Sequence, residues 1–279
     1  MKKYIIILLV LCFSKTMIAQ QGKIHSLLEL NLTDSINFIQ IKTDTLFESQ
    51  QIISLLTVSQ DSADRYEIRL AYRNKELKRT SWFGLDNQAE AALNAGYFDR
   101  DEGGSVSYLE IADSVISRNT SRGAKWAIND SLLNGAILIG SGNLISIQPA
   151  KTDKYYQAST REKAVLIAGP LLLLNSRKVK LPDIERFVKK RHPRSCLCTD
   201  NDQVVFIAID GRREEAEGMS LSETQDFLLR LGCIDAINLD GGGSTTLWTR
   251  DKGVVNFPSD KEGERPVSNV LLIIKTNQN

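Results

Sequence analysis

Histidine occurs only twice in this 279-residue chain and cysteine only four times. A zinc centre built from Cys and His therefore lacks ligands at useful spacing. Six prolines and 18 glycines are too few for a collagen-like or low-complexity chain. Neither sign of charge dominates, with 35 Lys and Arg against 34 Asp and Glu for a net +1. Such a balance lacks the electrostatic footprint of a nucleic-acid binder, so no nucleic-acid partner is expected. Beyond the N-terminus no segment is apolar enough to span a bilayer, so no integral membrane segment is expected there. What remains is an ordinary globular composition, 42% hydrophobic and 25% charged, in a chain long enough to bury its own core.

The N-terminus departs from this pattern. Met1-Lys2-Lys3 is positive, Tyr4 to Phe13 is apolar, and Ser14 to Ala19 is more polar and ends on a small residue. This order predicts a secretory signal peptide over residues 1–19. A helical apolar run of that length covers roughly half of a ~30 Å bilayer core. The mature protein is therefore expected to be exported, to the periplasm or the extracellular space. Leu11 directly before Cys12 argues against a lipid anchor. Removing the leader leaves Cys196, Cys198 and Cys233, an odd set that allows at most one intramolecular bridge. Cys196 and Cys198 share one face of a strand, where a bond between them is awkward, and small buried side chains are the expected role.

Apolar and polar residues alternate over Ile36 to Lys42 and Asp64 to Tyr72, as in half-buried strands. Hairpins are expected at Ser105 to Ser117, turning at Ala112-Asp113, and at Ala136 to Ile147, turning over Gly140 to Asn143. Gln203 to Ile209 is a nearly continuous apolar strand. A helix follows over Leu221 to Leu231, opened by Ser220 with Glu223 three residues on and closed by Gly232. Cys233 to Leu239 then returns as an apolar strand. The expected class is α+β, with mixed, largely antiparallel sheets, hairpins and a C-terminal strand-helix-strand unit. No repeat or linker divides the chain, so residues 20–90 read as a lead-in with the first strands. They belong to one domain with a catalytic region over 91–279.

Two strand ends carry acids. Asp240 follows the Cys233 strand and opens Asp240-Gly241-Gly242-Gly243-Ser244-Thr245-Thr246. Consecutive glycines have a large conformational cost, expected where backbone must approach a ligand closely or take positive φ. Such a turn can present amides to an anion, with Ser244 adding a donor. Asp210 ends the Gln203 strand ahead of Gly211-Arg212-Arg213. If the two strands are parallel, their C-terminal ends share an edge and the acids become neighbours, whose mutual repulsion would divide base from acid. Arg194, in Arg191-His192-Pro193-Arg194, and Arg265, before the last apolar strand, are possible clamps for an anionic substrate. Asn94, in Asn94-Ala95-Gly96-Tyr97-Phe98-Asp99, could orient a hydroxyl or an attacking water, and Tyr97 with Phe98 could floor a sugar site. A solvated basic run, a simple turn and core aromatics are the bland readings of these same segments.

Taken together and in order, the segments NAGYFD, AGPLLL, RHPRS, IDGRREEAEGMSLSE, LGCIDAINLDGGGSTT and ERPVSN resemble the phosphodiester glycosidase family. The resemblance covers about Ala91 to Ile274. It implies an α+β domain that hydrolyses the bond between a sugar's anomeric carbon and a phosphodiester oxygen. On the matching positions it implies Asp210 and Asp240 as catalytic acids, with Asn94, Arg194, Arg212, Gly241, Gly242, Gly243, Ser244 and Arg265 around the substrate. No cofactor is required, although the aspartates could hold a divalent cation. The implied partner is a sugar-phosphodiester. The alternatives are a non-catalytic module that binds anionic glycans and a metal-dependent phosphodiesterase that cuts the P–O bond. Tyr97 stands where a second Phe is common, and Ser195-Cys196-Leu197-Cys198 where small apolar residues are usual.

Overall fold

The computed structural model describes residues 36–60, 65–118, 131–141 and 144–276. The expected leader lies outside the described residues. Three antiparallel sheets enclose one shared core. In the largest, seven strands lie side by side in the order Ile36–Thr43, Gln51–Ser59, Gln203–Ile209, Arg194–Thr199, Asp235–Asn238, Leu171–Leu174 and Arg177–Lys178. A second sheet sets Ala91–Asn94 between Leu247–Thr249 and Asn269–Lys275, with Gly253–Val254 and Tyr66–Tyr72 at its edges. The third carries both expected hairpins, Leu109–Ile111 with Ser114–Ser117 and Gly135–Ile139 with Ile145–Pro149, joined through Ala164–Ala168. Ala112 and Asp113 take positive φ, as a two-residue hairpin turn demands.

Burial on both faces explains the continuous apolar strands. Along Gln203–Ile209, Val204, Phe206 and Ala208 point into the core shared by the three sheets, while Val205, Ile207 and Ile209 pack toward the helix Leu221–Leu231. Side chains alternate across a strand, so neither face can afford polar residues when both are covered. The same condition holds for Gln51–Ser59, where Leu56 and Val58 face the shared core and Ile53 and Leu55 face away. That strand therefore lacks the alternation by which its partner Ile36–Thr43 is recognised. On the other two sheets the outer faces meet the short helices Thr80–Asp86 and Asp153–Gln157, through Phe83 and Tyr156 respectively.

The helix Leu221–Leu231 follows the expected rules. The Ser220 side chain accepts from the Glu223 amide, the Glu223 carboxylate accepts from the Ser220 amide, and Gly232 ends the helix in the left-handed region at φ 96°. The helix joins two strands that are both antiparallel to Arg194–Thr199 between them. The strand-helix-strand unit thus skips one position in the sheet. The largely antiparallel class stands, with strand content well above helix.

Cysteine use differs from the expectation of isolated buried thiols. Cys198 and Cys233 form a disulfide with Cα atoms 5.8 Å apart, and Cys196 is free and buried. Cys198 faces the helix side of its strand, where the chain leaves the helix at Cys233. Cys196 shares that face, so position along the strand selects the partner: the Ile234 amide donates to the Thr199 carbonyl, which sets Cys233 beside Cys198. Closing a loop with a sequence separation of 35 removes denatured-state entropy worth roughly 3–4 kcal/mol. The Cys198→Ser, Cys233→Ser double variant should lose stability on that scale in urea unfolding while keeping the far-ultraviolet spectrum of the wild type.

Candidate active site

One rim of the seven-stranded sheet collects the polar strand ends. Across it lie Gln51, Asp210, Arg194 and Asp240, each at or just beyond the end of its strand. Gln203–Ile209 and Asp235–Asn238 are parallel to one another because each is antiparallel to Arg194–Thr199. Asp210 and Asp240 thus emerge from the same edge, separated by one strand and so by about 10 Å of backbone.

Asp240 is half-buried. Its carboxylate accepts from the Ser244 side chain and the Gly241 amide, with Arg265 and Arg100 supplying positive charge. Burial outweighs these contacts and pushes its pKa up to about 6. The backbone at Asp240 is held firmly: its amide donates to the Ala95 carbonyl at 2.8 Å, and its carbonyl accepts from Asn94 Nδ2 at 2.6 Å.

The triple glycine after Asp240 is explained by what crowds it. Gly242 has φ 62°, and a Cβ there would lie 3.0 Å from Arg212 Nη2. At Gly243 a Cβ would lie 2.1 Å from both Arg265 Nη2 and Asp260 Oδ1. Two guanidinium groups therefore rest on consecutive glycines, where any side chain would displace them. Arg265 is fixed by Asp260, with Nε to Oδ2 at 2.8 Å and Nη2 to Oδ1 at 3.0 Å, the paired geometry that suits a guanidinium. Its Nη1 reaches Ser244 Oγ at 3.5 Å. Arg212 holds φ at 61°, a strained region for a side chain of this size and one that clusters at functional sites. A cavity of about 340 Å³, bounded in part by Arg100, Asp260, Glu264 and Arg265, opens beside this cluster.

The turn's amides are mostly committed within the protein. Gly242 donates to the Pro193 carbonyl, Ser244 to Gly241 and Thr245 to Gly242. Positive charge at the site therefore comes mainly from arginine rather than from an array of backbone amides, which corrects the expectation for Gly241 and Gly242.

Asp210 is completely buried. Its Oδ1 accepts from Asn256 Nδ2 at 3.1 Å and the Phe257 amide at 2.9 Å, while Oδ2 has no partner among the described residues. Burial, offset by these bonds and by Arg213 and Lys42, pushes its pKa up to about 6. Desolvation, not mutual repulsion, is the leading cause at both aspartates, and this corrects the expected origin of their shifts. Asn256 links the two ends of the rim, since its Nδ2 also donates to the Thr245 carbonyl at 3.1 Å.

Arg194 departs from the clamp expected of it. Nε donates to the Met219 carbonyl at 3.0 Å, and Nη2 donates to those of Phe187 and Lys190 at 2.7 and 3.2 Å. Strand parity is the reason: Arg194 lies on the face of Cys196 and Cys198, toward the helix, whereas Asp210 continues the face of Phe206 and Ala208. Its guanidinium fastens the segment 187–190 and Met219 behind the rim, and its burial lowers its pKa to about 10. Asn94 is likewise a brace beneath the rim, its Oδ1 accepting from Ser195 Oγ at 2.6 Å and the Thr246 amide at 3.0 Å. Tyr97 and Phe98 are core residues. The Tyr97 hydroxyl donates to the Gly169 carbonyl at 2.6 Å, and its pKa is raised by burial.

The structure thus gathers Asp240, Gly241, Gly242, Arg212 and Arg265 on the accessible side of the rim, with Gly243 and Ser244 buried directly under them, and sets Asp210, Asn94 and Arg194 deeper beneath it. Asp260 and Asn256 escaped the sequence reading because neither ends a buried strand nor lies in a glycine turn. Among the described residues no three His, Cys, Asp or Glu side chains gather as metal ligands. No chemistry is assigned to a divalent cation.

The sequence profile of a family described as phosphodiester glycosidase matches residues 87–274. A Bos taurus protein named N-acetylglucosamine-1-phosphodiester alpha-N-acetylglucosaminidase is 38% identical over 76 residues, which is 27% of this chain and 14% of that protein. A Bacillus subtilis protein, SPbeta prophage-derived uncharacterized protein YomE, is 33% identical over 84 residues, covering 30% of this chain and 13% of its own length. The matched stretches therefore span only about a seventh of these relatives. Among solved structures, the catalytic domain of zebrafish N-acetylglucosamine-1-phosphodiester alpha-N-acetylglucosaminidase, described as auto-inhibited by its pro-peptide, is similar with a TM-score of 0.65 at 20% identity over 86% of this chain and 82% of that one. A hypothetical protein from Synechocystis is similar with a TM-score of 0.67 at 16% identity over 88% and 63% of the two chains. At these identities the structural likeness establishes a shared fold.

The buried acid has a measurable signature. Asp210 has a folded pKa of about 6, above the ~3.9 of an unfolded Asp, so the native state binds the proton more tightly. Stability should fall as pH rises from about 4 to about 6 and then level off, with a contribution from Asp210 on the order of 1–3 kcal/mol. Asp210→Asn should reduce that slope in urea titrations at a series of pH values, leaving the share of Asp240, whose pKa is also raised to about 6. An unchanged slope would show that Asp210 does not retain a proton on folding.

Proposed function

Because the chain belongs to the phosphodiester glycosidase family, we propose that it hydrolyses the bond between a sugar's anomeric carbon and a phosphodiester oxygen. One arrangement carries the reading: Asp240 stands beside two guanidinium groups, those of Arg212 and Arg265, seated on the glycines that follow it. The leaving group in this reaction is a phosphate monoester, already ionised near neutral pH. It departs with little protonation. The chemical demand is thus for fixed positive charge where negative charge accumulates, rather than for a strong acid.

Arg265, oriented by Asp260, meets that demand without reorganising during the reaction, and the more exposed Arg212, whose Nη2 lies 3.4 Å from His192 Nδ1, adds a second positive charge. Ser244 and the Gly241 amide orient the Asp240 carboxylate. Asp240 then faces the oxocarbenium-like carbon, as nucleophile or as base for water. Asp210 acts as a positioning residue: through Asn256 it supports Thr245 and hence the turn. The sugar named for the bovine relative, N-acetylglucosamine, is the first to test on this chain.

Export is part of the same proposal. The leader read in residues 1–19 would deliver the enzyme to glycans outside the cytoplasm. The Cys198–Cys233 disulfide supports this, since such bonds persist chiefly in oxidising compartments.

Asp240→Asn should lower kcat on an N-acetylglucosamine-1-phosphodiester by at least about 10²-fold while the protein stays folded. For the wild type, kcat/KM should climb with pH through about 6 as the Asp240 carboxylate ionises. A folded variant with undiminished turnover removes Asp240 from the mechanism.

A further inference from the structure

His192 is half-buried just ahead of the strand Arg194–Thr199, which runs between the strand that ends at Asp210 and the strand that leads to Asp240. Its ring stands beside Arg212, one of the two guanidinium groups at the glycine turn. We propose that His192 is a positioning residue of this site: its unprotonated ring, fixed in one tautomer, holds the Arg212 guanidinium over Gly242, where the phosphate departs. The inference rests on the sugar-phosphodiester reading of the Asp240 site, to which it adds the group that aims the second positive charge.

The tautomer follows from what surrounds the ring. Nε2 lies 2.9 Å from the Arg186 carbonyl oxygen, which can only accept, so Nε2 carries the hydrogen. That turns the Nδ1 lone pair to Arg212 Nη2 at 3.4 Å, and a guanidinium can only donate. The same Nη2 rests against Gly242, where a Cβ would lie 3.0 Å from it. Among the described residues no carboxylate pairs with Arg212, whereas Arg265 is paired by Asp260. A carboxylate partner cancels much of the charge that a departing phosphate needs. A neutral imidazole aims the guanidinium and leaves its charge whole.

The backbone makes the ring a fixed point. The His192 amide donates to the Met219 carbonyl at 3.2 Å, and the Met219 amide to the His192 carbonyl at 3.1 Å. Gly218 admits this approach: its φ is 86°, and a Cβ there would lie 2.4 Å from the His192 carbonyl oxygen. Gln51 Nε2 in turn donates to the Gly218 carbonyl at 2.8 Å. On the other side the Pro193 carbonyl accepts from the Gly242 amide at 2.9 Å. His192 is thereby tied to the very glycine on which Arg212 rests. Burial, with the positive charges of Arg194, Arg212 and Lys190, pushes the His192 pKa below its ordinary value against the opposing bond to Arg186. Protonation would place a hydrogen on Nδ1, remove the acceptor and set two cations side by side.

Two measurements test the role, and the first needs no turnover. The full chain has only two histidines, so nitrogen-15 nuclear magnetic resonance can follow each imidazole through a pH titration. His192 should show the Nε2–H tautomer and a pKa below the ~6.5 of a free imidazole, and Arg212→Ala should raise that pKa. The Nδ1–H tautomer, or a pKa indifferent to Arg212→Ala, overturns the pairing whatever the activity. The second compares turnover of an N-acetylglucosamine-1-phosphodiester by wild type, His192→Ala and His192→Asn, each checked for folding by urea titration. Asn offers an oxygen where Nδ1 stood and cannot take up the proton. His192→Ala should lower kcat about 10-fold, less than the ~10²-fold of a deleted transition-state donor. His192→Asn should recover most of that loss and show a shallower acid limb of kcat/KM than wild type. In an Arg212→Ala background, His192→Ala should cost nothing further. An unchanged kcat, an equal loss in that background, or no recovery by Asn overturns the proposal. The expected resonances in a protein inert toward the diester would uphold the pairing of His192 with Arg212 and sink the hydrolytic reading instead.

Discussion

The carboxamide of Asn94 holds the candidate site together. It comes from the second sheet, donates to the carbonyl of Asp240 on the first, and accepts from Ser195 on the first and from Thr246 at the return to the second. A side chain that both donates and accepts can tie a strand end to the segment that leaves it. Hydrophobic contact brings the three sheets together but does not set one strand end against another. Asn94 does so for the turn that begins at Asp240, and the arginines then take their places on glycines whose positions are already fixed.

Electrostatics follows from that placement. Asp240 and Asp210 both lose water, and this raises their pKa values despite the bonds they accept. They differ in access. Asp240 is half-buried beside Arg265, whereas Asp210 is sealed under Asn256 and Phe257. A carboxylate that must meet a substrate needs the first environment. The second suits a group whose bonds shape the rim. Arg265 is held by Asp260, while Arg212 starts from an unusual backbone conformation and reaches His192 Nδ1 at 3.4 Å.

Much of this was legible in the sequence wherever one local rule had one outcome. The capping box at Ser220 and Glu223, the Gly232 stop, the two hairpins and the shared edge of the Asp210 and Asp240 strands all follow from patterns within a few residues. The Gln51–Ser59 strand was not legible, because burial on both faces removes the alternation that marks a strand. Arg194 was misread for a related reason. Its type suits an anion, but its direction is set by strand parity, which it shares with Cys196 and Cys198. Triple glycine was recognised as a close approach, yet what approaches it is arginine from distant segments. Asp260, Asn256 and Gln51 had no local signature at all, because their roles exist only through partners brought near by the fold.

The region before residue 87 stands outside the family's profile, but its first two strands extend the principal sheet and complete the rim on which the acids sit. Family membership is the ground for proposing cleavage at carbon rather than at phosphorus, and the arginines beside Asp240 suit the phosphate that would depart. The most direct test is hydrolysis of an N-acetylglucosamine-1-phosphodiester in 18O-enriched water, with mass spectrometry of both products. Label on the released sugar and none on the phosphate is the result this account predicts; label on the phosphate would contradict it.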